Sequence, residues 1–259
     1  MGYNCQQGLE GNGKLMSQYD IYGRMAAAGV TEILQNGRYT SQKEAEQHVP
    51  NDVAKKLKIN RDDTFLDIGC GLGLNLIPIS KIVCLAFACD HPNVIKMLCK
   101  KDLPANISFY EGDFLSSTTN RTFTKILAYS VLHTLANEKI LFSFIDKTLS
   151  LLSPQGRMLL GDIANVNKKK RFLSSERGKL FQKKWERLNS KQNKEEDVTI
   201  YHKGNYSFLT FGDTLILKIL EHIRHNNFHA YVLDQPQNLP FGNSREDILV
   251  VGPEYEDKE

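Results

Sequence analysis

The run Thr64-Phe65-Leu66-Asp67-Ile68-Gly69-Cys70-Gly71-Leu72-Gly73 constrains the fold more than any other stretch of the chain. An apolar segment that ends in three alternating glycines reads as a buried strand turning sharply into a helix. Residues without a Cβ tolerate left-handed backbone and let the main chain approach a ligand closely. From residue 63 onward, strand-like runs alternate with helical ones. The strand-like runs are Thr64 to Ile68, Val83 to Cys89, Ile107 to Tyr110, Thr124 to Tyr129 and Arg157 to Gly161, with helical patterns at Asn75 to Lys81, Pro92 to Lys100 and Glu138 to Leu152. Strands joined by helices run parallel, because each crossover returns the chain to the same edge.

A further helical stripe over Gly212 to Asn226 is followed by two strands, Phe228 to Leu233 and Asp247 to Val251. The loop between them holds Pro236, Pro240 and Gly242, which suits an antiparallel hairpin. The expected fold class is α/β: a Rossmann-like, doubly wound, seven-stranded sheet, mostly parallel with the last strand antiparallel. Residues 1–18, glycine-rich and poor in apolar anchors, are expected to be a flexible arm. Residues 19–60 are expected to form an N-terminal helical cap and 61–259 the main domain. Within the cap, Ser41 and Glu44 suggest a capping box, and Pro50 suggests two short helices or a kinked one.

Residues 163–211 interrupt the pattern as an insertion expected to pack over the rim of the sheet, where Leu173, Leu180, Phe181, Trp185 and Leu188 form the apolar stripe of an amphipathic helix. Residues 165–203 carry twelve cations against five acids, so the remainder of this +3 chain is acidic. The five cysteines, none in a C-x-x-C pair, imply neither a disulfide frame nor a structural zinc. The longest apolar run, Ile82 to Cys89, is far shorter than the roughly 20 residues a bilayer span needs. The start of the chain has no basic region followed by an apolar core, so the expected location is cytoplasmic.

A dinucleotide-binding loop places its third glycine at position 74, where this chain has Leu74, and a phosphate-cradling loop ends in G-K-[ST], which is absent. D-I-G-C-G-L-G instead resembles the first motif of class I S-adenosylmethionine-dependent methyltransferases of the small-molecule type. The resemblance covers residues 60–162 well and the remainder only in topology. It implies S-adenosylmethionine as methyl donor, held by Asp67, Gly69, Cys70, Gly71 and Gly73, with no metal. Asp90, 23 residues after Asp67, stands where the family's acid accepts hydrogen bonds from the ribose hydroxyls, beside His91. Asp113 and Phe114 stand where the family meets adenine, and Tyr129 and Ser130 lie in the segment beside the methyl group.

Methyl transfer from a sulfonium is an in-line displacement, so the protein mainly aligns the reactants and excludes water. A hydroxyl acceptor gains from a base, and His133 and His202 are the candidates. Tyr19, Tyr22, Tyr39, Asp162 and Tyr201 are the candidate substrate contacts. The D/N-P-P-Y/F signature of amine-methylating branches is replaced by Ala128-Tyr129-Ser130-Val131, which disfavours amine chemistry on bases. The expected acceptor is therefore an oxygen of a small polar or anionic metabolite, with a sugar or polysaccharide precursor as first choice. The basic segment admits two alternatives, a surface attracting an anionic substrate or the docking face of an RNA methyltransferase. A nucleotide-binding module or dehydrogenase is the reading outside methyl transfer.

Overall fold

The computed structural model describes residues 18–119, 121–189 and 209–256. Nearly all of the expected N-terminal arm, and His202 and Tyr201, lie outside these residues. Seven strands, β1 (Thr64–Ile68), β2 (Leu85–Asp90), β3 (Ile107–Glu111), β4 (Phe123–Tyr129), β5 (Leu152–Ala164), β6 (His229–Asp234) and β7 (Arg245–Val251), form one sheet in the order β3-β2-β1-β4-β5-β7-β6. Strands β1 to β5 pair in parallel, and β7 runs antiparallel to both β5 and β6. The doubly wound sheet and its antiparallel last strand are thus as the sequence pattern requires. Strand order reverses between β1 and β4, which opens a crevice beyond their carboxyl ends.

Alternation along β1 divides the interior into two layers. Leu66 and Ile68 join a cluster with Phe144 and Ile145 of α7 (Glu138–Leu151) and Ile216 and Ile219 of α10 (Asp213–His225). Phe65 faces the other way, onto Val53 and Leu57 of α4 (Val49–Leu57), Ile79 of α5 (Leu76–Ser80) and Ile95 of α6 (Pro92–Leu98). Both layers are needed because the strands between them are buried on two faces.

The N-terminal part forms α1 (Gln18–Ala28), α2 (Glu32–Gln35), a 3-10 turn Thr40–Gln42, α3 (Lys43–Glu46) and then α4. Pro50 lies in the first turn of α4, where its missing N–H costs nothing. The N-caps in this stretch are Tyr39 and Gln42 rather than Ser41. Ser41 lies inside the 3-10 turn, and the Gln42 side chain accepts from the Tyr39 N–H at 3.1 Å instead. Among its described residues the insertion forms two helices where one was expected, α8 (Val166–Ser174) and α9 (Glu176–Asn189). Extended Ser175 separates them, and its hydroxyl accepts from the Gly178 N–H at 3.0 Å.

Candidate active site

The three loop glycines all adopt positive φ, +71° at Gly69, +52° at Gly71 and +84° at Gly73. A Cβ at Gly69 would stand 2.5 Å from Val131 Cγ2, and one at Gly73 would stand 2.8 Å from Leu98 Cδ1. The bend therefore needs glycine for its backbone and for its close contacts. The Gly69 N–H donates to the Cys89 carbonyl at 2.7 Å, and the Gly71 N–H donates to Asp90 Oδ2 at 2.8 Å. Asp90 Oδ1 accepts from the His91 N–H at 2.6 Å. Burial pushes the Asp90 carboxyl up to about 6 despite these two donors. Burial and then the nearby Asp90 charge push Asp67, beneath the bend, up to about 8.

A cleft of about 170 Å³ lies against this bend. Gly69, Cys70, Gly71, Asp90, Tyr129 and Ser130 line it from the sheet, and Tyr19 and Tyr22 from α1. The α1 helix is a roof whose position depends on Gly23. A Cβ there would stand 2.4 Å from the His91 ring, and the Gly23 carbonyl accepts from Asn93 Nδ2 at 3.1 Å. The Tyr19 and His91 rings lie 4.8 Å apart, and burial, then the Asp90 charge, raises the Tyr19 phenol. His91 thus supports the roof and caps α6, its Nδ1 accepting from the Asn93 N–H at 3.1 Å.

The cleft's polar end was not anticipated from the sequence. Gln35, Asn36, Arg38 and Glu46 line it, and Arg38 is buried with its Nη2 donating to Asp162 Oδ2 at 2.8 Å and Ser130 Oγ at 3.0 Å. Ser130 Oγ also donates to Asp162, and Arg245 Nε lies 3.6 Å from Asp162 Oδ1. Ser130 and Asp162 both take left-handed backbone, at φ +62° and +59°, which aims their side chains at each other across the ends of β4 and β5. Burial alone would raise the Asp162 carboxyl, but the Arg38 and Arg245 guanidinia and the Ser130 hydroxyl hold it down to about 2. Gln35 Oε1, Arg38 Nε and Asn75 Oδ1 are buried without a hydrogen-bond partner, and all three residues line the cleft. These polar side chains make this end of the cleft wall polar.

The remaining candidates lie elsewhere. Asp113 is exposed and caps the 3-10 turn Phe114–Ser116, accepting from the Leu115 N–H at 3.1 Å, while Phe114 is buried against Phe144 at 5.1 Å between ring centroids. His133 does not line the cleft. Burial first, then the Arg245 charge, lowers its imidazole to about 4, and its buried Nδ1 has no partner among the described residues. Tyr39 points away from Tyr19 and Tyr22, into a second groove where its ring meets Trp185 edge-on at 5.2 Å. Part of the basic segment is tied to the acidic body: Lys168 pairs with Asp234, Arg171 with Asp213, and Arg177 Nη2 donates to Gln237 Oε1.

Among solved structures, the N-methyltransferase NodS from Bradyrhizobium japonicum WM9, crystallised with S-adenosyl-L-homocysteine, is similar with a TM-score of 0.59. It is 15% identical over 91% of this chain and 98% of its own. Magnesium protoporphyrin IX methyltransferase ChlM from Synechocystis PCC 6803 follows at TM-score 0.56 and 13% identity, over 90% of this chain and 93% of its own. The DhpI-SAM-HEP complex matches at TM-score 0.56 and 13% identity, over 90% and 95%. The chain has the class I methyltransferase fold. No family model matches it, and a search of curated proteins returns no match. In this methyltransferase fold the glycine bend, Asp90 and the roof occupy the crevice at the switch point of the sheet. No described helix is long and apolar enough to cross a membrane.

Proposed function

We propose that the chain is an S-adenosylmethionine-dependent methyltransferase acting on a small molecule, with oxygen as the acceptor atom. One observation carries the reading: a glycine cradle is bonded to the Asp90 carboxylate in a cleft whose far end is lined by Gln35, Arg38 and Asn75. The residues present fit the donor. Asp90 has lone pairs beyond those taken by the Gly71 and His91 N–H groups and can receive ribose hydroxyls. Gln35, Arg38 and Asn75 offer polar atoms to the amino-acid end. The neighbours crystallised with S-adenosyl-L-homocysteine or SAM support the same donor.

When bound, the donor supplies an electrophilic methyl group on sulfur. The acceptor oxygen forms a bond to that carbon as the carbon–sulfur bond breaks, the electron pair leaving with sulfur and any acceptor proton passing to solvent or a base. The chain aligns and shields these groups. Tyr19 and Tyr22 close the cleft against water, which would otherwise compete for the methyl group. Asp162, ionised and held by two arginines, is an electrostatic anchor for Ser130 and Arg38 rather than a base. His133 stays neutral through the physiological range and can take a proton only from an acceptor delivered beside it. Asp113 and Phe114 remain the proposed contacts for the adenine end.

Mass spectrometry of ligand released from the purified protein tests the donor. S-adenosylmethionine or its demethylated product is the expected species, and NAD(H) would overturn the assignment in favour of a dehydrogenase. Transfer of labelled methyl to small molecules rather than RNA would separate the substrate classes.

A further inference from the structure

The second groove, about 400 Å³, lies between α3, the two helices of the insertion and the loop that joins β6 to β7. Its wall is a continuous aromatic cluster. Phe172 and Phe181 lie 5.4 Å apart, Phe181 stacks on Trp185 at 6.1 Å, and Trp185 meets Phe241 at 5.8 Å. Tyr39 closes the cluster against Phe241 at 6.2 Å. A core would bury such rings, yet Phe181 is 40% exposed and Tyr39 39%. The volume falls in the range of small-ligand pockets.

Two further facts narrow the occupant. Lys169 and Lys184 also line the groove, and neither is paired with an acid among the described residues, whereas Lys168 and Arg171 of the same insertion are. Aromatic faces beside two lysines suit an aromatic body bearing an anionic group. The groove also adjoins the donor cleft. The Phe241 ring lies 5.6 Å from the Arg38 guanidinium carbon, and Arg38 lines the cleft while Phe241 lines the groove. A wall one guanidinium and one ring thick separates the two cavities. Phe241 stands in left-handed backbone, φ +58°, in a loop closed by the Gly242 N–H donating to the Leu239 carbonyl at 3.1 Å.

We infer that this groove binds a flat aromatic acid beside the donor cleft, its ring system held among Phe172, Phe181 and Trp185 and its anionic group by Lys169 and Lys184. This affinity does not rest on the methyltransferase reading above.

Trp185 is the single tryptophan of the chain, so its emission reports the groove directly. The full-length protein is titrated with 8-anilinonaphthalene-1-sulfonate, its uncharged analogue N-phenyl-1-naphthylamine, and glucose 1-phosphate. Saturable quenching by the sulfonate, weaker binding of the uncharged ring and no response to the sugar phosphate are expected. Lys169 and Lys184 are exposed, so K169Q/K184Q should fold normally and lower sulfonate affinity roughly fivefold. It should leave the uncharged ring unaffected. F181A should weaken both aromatic probes roughly tenfold.

Equal binding of the two aromatic probes, or preferential binding of glucose 1-phosphate, would overturn the proposal. So would emission that changes with protein concentration alone, which would mark the groove as a contact between copies. Calorimetry with S-adenosylmethionine on the same preparation separates the two readings. Donor binding without sulfonate binding defeats the groove assignment alone, and sulfonate binding without donor binding defeats the methyltransferase reading alone.

Discussion

Replacing Arg38 with methionine removes the cation that holds Asp162 ionised while keeping most of the side chain's apolar stem. A carboxyl that titrates at 3.8 when free and at about 2 in the folded protein contributes about 2 kcal/mol of stability at neutral pH. Because the folded value is depressed, that contribution is fully present above pH 3.8 and is lost as the pH falls towards 2. Arg38 makes the 2.8 Å contact, and Arg245, at 3.6 Å, remains after the substitution. Removing one partner of a buried pair typically costs about 3–5 kcal/mol, and the surviving arginine and Ser130 should reduce this to about 2 kcal/mol. Urea unfolding of wild type and R38M at pH 7 and pH 3 measures the difference. The expected result is a cost of about 2 kcal/mol at pH 7 that falls to about half at pH 3. An equal cost at both pH values would refute the reasoning, because the loss would then come from packing rather than from the charge on Asp162.

Three more substitutions probe the cleft. D90A should weaken S-adenosylmethionine binding by about 2 kcal/mol in calorimetry, since a charged acceptor of two hydroxyls is lost, and unchanged affinity would remove Asp90 from the donor site. G73A should destabilise the fold by about 1–3 kcal/mol in chemical denaturation, because the new methyl meets Leu98 and Ile77 within 3 Å at a φ of +84°; a neutral result would show that the bend relaxes freely. G23A should favour α1 as an isolated helix yet lift it from His91, so faster proteolysis of the N-terminal region is expected, and unchanged protection would mean the roof does not rest on that contact.

The strand–glycine–helix unit was legible because local chemistry determines it: β1 ends where Gly69 must adopt positive φ, and its bounds are those the sequence pattern predicts. The same locality explains the misses. The sequence pattern starts the fifth strand at Arg157, yet β5 begins at Leu152 and runs through Ser153, Pro154 and Gly156, with the Gly156 carbonyl accepting from the Gly252 N–H at 2.9 Å. Arg38 is a single cation in a polar stretch, and nothing around it marks it as buried. Its partner, Asp162, is 124 residues away and meets it only once β4 and β5 lie side by side. Tyr39 shares a helical cap with Tyr19 and Tyr22, but spacing along the chain does not reveal that Phe241 and Trp185 turn it into another groove. Positions fixed by the backbone were readable, and those fixed by long-range charge pairing were not.

Under the proposed function, the Gly23 seat of α1 bears on the timing of turnover. A tyrosine-lined ceiling rests on one imidazole beside the glycine bend, so under the proposed function exchange of a used donor would require that ceiling to lift. Exchange then proceeds at the pace of helix undocking, and a solvent viscous enough to slow that motion should slow steady-state turnover even when the methyl-transfer step itself is fast.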